Sequence, residues 1–164
     1  MADVINYSTS FINDADRRAI AVYLKSQPAS PNVASSAPEA GAMRRGAEVY
    51  SDACASCHLD NGIGQSRLFP PLGKDAMLQQ PDPTGLEHLI LGGTHVGVSA
   101  SRPSPLGMPS FAWKLTDQEI ADVSTFIRNS WGNQAAPVAA AEVSALRKKL
   151  KLETLRLTDN SGDR

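Results

Sequence analysis

Five stretches of the chain set apolar residues at helical spacing, and the segments between them do not. In "FINDADRRAIAVYLKSQP", Phe11 to Pro28, Ala19, Ile20, Tyr23 and Leu24 fall on one side of a predicted helix. Asn13 is its N-cap, Asp14 and Asp16 suit the positive helix start, and Pro28 closes it. "MRRGAEVYSDAC" carries Met43, Ala47, Tyr50 and Cys54 on one face. "TGLEHLILGG" predicts a shorter helix, with Thr84 and Glu87 at capping-box spacing and Gly92 near its stop.

"LTDQEIADVSTFIRNSWG" is the most fully specified of the five. Thr116 and Glu119 form a capping box, Leu115 and Ile120 the hydrophobic staple around it, and Ile120, Val123, Ile127 and Trp131 an apolar stripe. The last stretch begins as an amphipathic helix through Val143, Leu146 and Leu150 and then turns polar. Between these lie loops. Residues 27–42 are rich in Pro, Ser and Ala and read as a linker, while "GIGQSRLFPPLGKD" and "GGTHVGVSASRPSPLGMPSFAWK" are broken by Gly and Pro.

The first and fourth helices also match each other. Set "NDADRRAIAVYLKS" over "TDQEIADVSTFIRN", and Asp14 meets Asp117, Ile20 meets Val123, Tyr23 meets Phe126, Leu24 meets Ile127 and Lys25 meets Arg128. The offset of 103 residues, Asn13 to Thr116, is about the length of one small domain. Residues 1–28 are therefore expected to be the terminal helix of a preceding similar domain; two unrelated helices sharing common cap chemistry are the alternative.

Composition narrows the chemistry. Apolar residues are 41% of the chain but aromatics only 5%, so an all-protein core would be thin and a large apolar cofactor would fit. Sixteen Lys and Arg against 17 Asp and Glu leave a net charge of -1, which offers no nucleic-acid footprint. No apolar run is long enough to span a bilayer. The opening residues lack the basic start and apolar stretch of a secretory signal, which implies either a cytosolic protein or a mature chain or fragment.

Both cysteines of the chain fall in "CASCH", residues 54 to 58. A disulfide between them would close almost no loop. C-x-x-C-H is the attachment signature of c-type haem: each thiol adds to a vinyl group, and the adjacent His58 is tethered beneath the iron as proximal ligand. A thioredoxin-like motif would follow a strand, whereas this one lies in helix-compatible sequence. A closed zinc site would need more ligands, and His88 and His95 are isolated. For the sixth iron position Met108, in a Gly/Pro-rich loop ahead of the capped helix, is the leading candidate. His95 is its imidazole rival, with Met43 and Met77 behind it.

Residues from about 42 to 134 resemble a class I c-type cytochrome domain through "GAEVYSDACASCHLDNGIG", "FPPLGKD", "LILGG" and "GMPSFAWKLTDQEIADVSTFIRNSWGN". The combined pattern is especially similar to the last haem domain of the triple-haem cytochrome subunits of bacterial membrane-associated alcohol or gluconate dehydrogenases, and "DADRRAIAVYLKSQP" to the end of the domain before it. The resemblance implies an all-α, small class I cytochrome c fold around one covalently bound haem c, with helical extensions at both ends. It divides the chain into a helix remnant, 1–28; a linker, 29–41; the cytochrome c domain, 42–134; and an amphipathic helix with a polar tail, 135–164. It further implies thioethers at Cys54 and Cys57, His58 and Met108 as iron ligands, a Pro70 carbonyl that fixes the His58 ring, and Leu72 as an apolar haem contact. Tyr50, Phe69, Phe111 and Trp113 are haem-shell or core aromatics by position.

The implied function is one-electron transfer rather than catalysis. Electrons would pass from a quinoprotein or flavoprotein dehydrogenase subunit, acting on an alcohol, aldehyde or sugar acid, through upstream cytochrome domains toward quinone or a terminal oxidase. The implied location is the periplasm, at the outer face of the inner membrane. A haem peroxidase, or a ligand-binding or redox sensor with a displaceable sixth ligand, is the rival reading. This chain departs from the three-haem pattern in having one attachment motif.

Overall fold

The computed structural model describes residues 2–28, 36–98 and 106–152. Most of the expected linker and nearly all of the polar tail lie outside the described residues. Helices dominate: α1 (Ala2–Tyr7), α2 (Asp14–Ser26), α3 (Ala40–Ala53), α4 (Ala55–His58), α5 (Thr84–Gly92), α6 (Asp117–Ile127) and α7 (Ala140–Lys149). A 3-10 turn spans Thr9–Phe11, and two-residue strands β1 (Thr94–His95) and β2 (Gly107–Met108) pair within what the sequence reads as loop. The fold is thus a small, predominantly helical one, as expected of a class I cytochrome c.

Among the described residues the chain forms two units, 2–28 with 95–98 and 106–107, and 36–94 with 108–152. In the first, the Asn6 side chain accepts a hydrogen bond from Val98 N at 2.8 Å. Gly97 lies against Ile5, where a Cβ would come within 2.7 Å of the side chain. Asn13 caps α2 as expected, accepting from Asp16 N at 2.9 Å. None of the α2 residues is buried.

The second unit is built on the crossing of α3 and α6. Gly46 makes the crossing close: a Cβ there would press into the Asp122 carbonyl and lie 2.7 Å from the Phe126 Cβ. Beside it Arg45 grips the Asp122 carboxylate with two hydrogen bonds, 2.6 and 3.1 Å. The α6 cap forms as predicted, with Thr116 Oγ1 accepting from Glu119 N at 3.2 Å and Glu119 Oε2 accepting from Thr116 N at 2.7 Å. Leu115, Ile120, Val123 and Ile127 are buried, while Trp131 falls beyond the helix in a turn where its φ is 54°.

Two expectations need correction. Thr84 does not cap α5; the helix follows Pro83, and Asp82 Oδ1 accepts from Thr84 N at 2.9 Å instead. Glu87, placed by the sequence as a capping partner, is buried on the inner face of α5. The helix stops at Gly93, whose φ of 69° suits a residue without Cβ.

α7 packs into the same core through Val143 and Leu146. Arg147 reinforces it, donating to Asp117 Oδ1 at 2.7 Å and to the carbonyls of Ala112 and Leu115 at 2.6 and 2.8 Å. The last helix is therefore part of the unit that carries the cysteines.

Candidate functional site

The cysteine motif begins where α3 ends. Cys54 leaves helical geometry at φ -120°, and α4 is a single turn in which Cys57 N and His58 N both donate to the Cys54 carbonyl, at 3.1 and 3.0 Å. Both thiols are half-buried and free. Burial pushes the Cys54 thiol up to about 11, with the neighbouring Cys57 adding to it, so it is protonated at neutral pH.

The turn ends at Leu59, whose φ of 62° is unfavourable for a branched side chain. Tyr50, buried on α3, offsets it by donating its hydroxyl to the Leu59 carbonyl at 2.7 Å. Tyr50 also joins Phe126 and Trp131 in a three-ring cluster, centroids 5.0 to 5.5 Å apart. The Trp131 ring lies on Gly62, where φ is 66° and a Cβ would meet the indole within 2.5 Å.

The chain then doubles back under its own start. Gly64 N donates to the His58 carbonyl at 3.0 Å, Gln65 and Phe69 exchange backbone hydrogen bonds at 2.9 and 2.8 Å, and Leu72 N donates to the Gly62 carbonyl at 2.7 Å. Gly64 sits against the Phe69 and Pro70 carbonyls, in a space that a side chain would fill. This fold-back delivers Pro70 O to His58 Nδ1 at 3.0 Å. A carbonyl can only accept, so Nδ1 is the donor, and in the neutral ring Nε2 keeps the free lone pair.

Cys54, Cys57, His58, Pro70 and Leu72 are thus brought onto one loop. Met108 stands apart on β2, half-buried, and packs with Leu72 and Cys54 against the same hydrophobic core. Its neighbours are fixed: Ser110 Oγ donates to the Leu91 carbonyl at 2.5 Å and Phe111 N to Ile90 O at 2.9 Å. Of its rivals, Met77 is exposed, Met43 lines a cavity with Pro38, Asn129 and Asn133, and His95 is exposed on β1 in the first unit. Trp113 is 54% exposed, whereas Phe69 and Phe111 are half-buried.

The donor set fits a c-type haem. Two free thiols flank one helical turn, an imidazole presents Nε2 with its other nitrogen already engaged, and a soft thioether borders the same core. Sequence reasoning missed Gly46, Arg128 and Asn133. Nothing in the sequence reveals which distant carbonyls Arg128 and Asn133 reach.

Residues 43–131 match the family model for cytochrome c. The chain is 40% identical over 158 residues to the cytochrome c subunit of the quinone-dependent alcohol dehydrogenase of Gluconobacter oxydans, covering 90% of this chain and 33% of that one. It is 40% identical over 176 residues to the cytochrome c subunit of gluconate 2-dehydrogenase of Pantoea cypripedii, covering 99% and 39%. Cytochrome c-552 of Thermus thermophilus is 34% identical over 116 residues, 66% of this chain and 78% of that protein. The chain spans only 33% to 39% of the length of the two dehydrogenase subunits.

Proposed function

The chain belongs to the cytochrome c family and has covalent haem c as its cofactor; from that premise we propose that it is an electron-transfer domain of a dehydrogenase complex, in which Cys54 and Cys57 would hold the haem through thioethers and His58 and Met108 would be its iron ligands. The haem supplies one-electron chemistry between ferric and ferrous states. The observation that carries the reading is the His58–Pro70 hydrogen bond, 3.0 Å long, which leaves Nε2 as the neutral ring's free donor in a residue that shares one helical turn with two free thiols. Pro70 orients the ring and makes His58 a stronger donor. Leu72 gives apolar lining, and the Met108 thioether favours a relatively high potential.

Held by both His58 and Met108, the haem would offer substrate no open site, and the domain would conduct rather than catalyse. Leu59, Ile63 and Leu68, exposed on the loop beside His58, offer apolar surface for a brief encounter with a redox partner. The similarity to dehydrogenase subunits supports a donor that oxidises an alcohol, aldehyde or sugar acid, an acceptor that is quinone or an oxidase, and a periplasmic location. No helix among the described residues is long and apolar enough to cross a membrane.

Residues 1–28 are the end of a preceding like domain, 29–41 the linker, 42–134 the haem domain and 135–164 its extension. The match of α2 to α6 and the greater length of the relatives support this division.

The test is a visible spectrum of the protein matured with covalent haem, oxidised and reduced, with and without carbon monoxide. Stable six-coordination without ligand uptake is expected, and rapid uptake would point to a peroxidase or sensor. Met108→Ala should keep the haem, lower the potential and open the iron; unchanged ligation would remove Met108 from the site. Cys54→Ser with Cys57→Ser should abolish covalent retention.

A further inference from the structure

Beyond α6 the chain takes two consecutive left-handed residues, Trp131 at φ 54° and Gly132 at φ 86°. Glycine accepts that geometry freely, whereas a tryptophan is strained there, so the turn is held by what it places. It places Asn133, only 6% exposed, against the loop that carries Pro70. Asn133 Oδ1 accepts from Lys74 N at 2.7 Å, and Nδ2 donates to Leu72 O at 2.8 Å and to Ile127 O at 2.9 Å. The two carbonyls fix the amide's orientation, since the flipped form would set oxygen against oxygen.

Pro70 and Pro71 have no backbone N–H, so neither can be tied down by donation. Leu72 is the first residue after them whose two backbone groups are both available, and both are used: its N–H on Gly62 O at 2.7 Å and its carbonyl on Asn133. The position of the Pro70 carbonyl is therefore set from its C-terminal side by the Leu72 N–H on Gly62 O and by one side-chain amide, that of Asn133. We propose that Asn133 is a positioning residue for the haem site: by clamping Leu72 and Lys74 to the end of α6, it holds the Pro70 carbonyl on His58 Nδ1–H and so sets how strongly His58 donates through Nε2. The proposal rests on His58 being the proximal ligand.

The test compares the matured haem protein with Asn133→Ala, Asn133→Asp and Asn129→Ala. Asn129 sits in the same turn but donates only back to Thr125 O, at 2.9 Å. In Asn133→Ala a slackened His58–Pro70 bond makes imidazole a poorer donor to ferric iron. The reduced-to-oxidised ratio at a fixed ambient potential should rise up to about tenfold, or ~59 mV for one electron. Exchange of the His58 Nδ1 proton, read by NMR, should accelerate by about tenfold or more. Asn133→Asp keeps an acceptor for Lys74 N but sets a carboxylate oxygen against Leu72 O, so proton exchange at His58 should accelerate there too. Asn129→Ala should match the parent.

A lowered melting temperature in Asn133→Ala with parental potential and proton exchange would overturn the proposal. If that variant does not fold, parental values in Asn133→Asp do the same. A parent protein without thioether-bound, histidine-ligated haem, read by its pyridine haemochrome spectrum and mass, would overturn the functional reading and this proposal with it. Haem present but insensitive to Asn133 overturns the proposal alone.

Discussion

Helices α2 and α6 have matching apolar patterns and working N-caps, yet α6 buries seven of its residues and α2 none. At aligned positions Ile20 is 48% exposed and Val123 0%, Leu24 63% and Ile127 4%. Part of the reason is written in the helices themselves. Where α6 has Ile120 and Ala121, both fully buried, α2 has Arg17 and Arg18, and Arg17 pairs with Asp14 on its own helix. The rest is the partner: α6 meets a helix that offers Gly46 at the crossing. A local pattern specifies a capped helix, and an opposing surface decides what the helix is worth.

The sharpest test lies at the aligned pair Lys25 and Arg128. Arg128 is 1% exposed and donates to Leu78 O at 3.0 Å, Gln80 O at 2.9 Å and Ala136 O at 3.1 Å. Burial depresses its pKa, and Glu87 is the first of the acids that oppose this. Arg128→Ala strands three carbonyls and leaves Glu87 without that counter-charge, so guanidinium denaturation should show a loss of about 3–5 kcal/mol. Lys25→Ala, on an exposed helix, should stay within about 0.5 kcal/mol. Next in size, Ile127→Ala opens a cavity under α6 and should cost about 2–4 kcal/mol, whereas Leu24→Ala removes an exposed side chain and should cost about 0.5 kcal/mol or less. Comparable losses in the two helices would mean that α2 is packed as α6 is.

These pairs also mark how far the sequence could be read. Helix existence, the α6 cap and the haem motif follow from spacing over a few residues, because turn and cap chemistry is local. The carbonyl-binding roles of Arg128, Asn133 and Arg147 do not follow, because their acceptors lie up to 61 residues away, as Leu72 O does from Asn133. A backbone carbonyl carries no residue signature. Glu87 misled for the same reason: its spacing from Thr84 fits a cap, but the Pro-Asp-Pro run before it let Asp82 take that role and turned Glu87 inward.

Buried Glu87 sharpens the comparison through pH. It faces Asp82 from the preceding turn, Glu142 from α7 and Arg128 from α6, and its Oε1 has no protein partner among the described residues. Burial above all, with Glu142 and then Asp82 adding, raises its pKa from 4.5 to about 6. The native state then binds more protons than the unfolded chain between those values. Its contribution is fully present below about pH 4.5 and is lost as pH rises through about 6. The stability advantage of the parent over Glu87→Gln should fall by about 1–2 kcal/mol between pH 4.5 and pH 7. A flat Glu87→Gln comparison would mean that the carboxylate is solvated.

The smallest expected difference, at the caps, separates local from global stability. Asn13 and Thr116 perform the same task, each accepting the N–H of the residue three positions on, at 2.9 and 3.2 Å. Replacing either by Ala frees a helix-start donor worth about 1 kcal/mol. In α6 that loss is shared with everything the helix buries, so Thr116→Ala should lower the global unfolding free energy by the full amount. In α2 no buried residue transmits it. Asn13→Ala should instead appear as fraying, a roughly fivefold loss of amide exchange protection within Asp14–Ser26, while the unfolding midpoint of the haem-bearing unit does not move. If Asn13→Ala shifts that midpoint as far as Thr116→Ala does, α2 is energetically coupled to the core despite its exposure, and the contrast between the two helices fails.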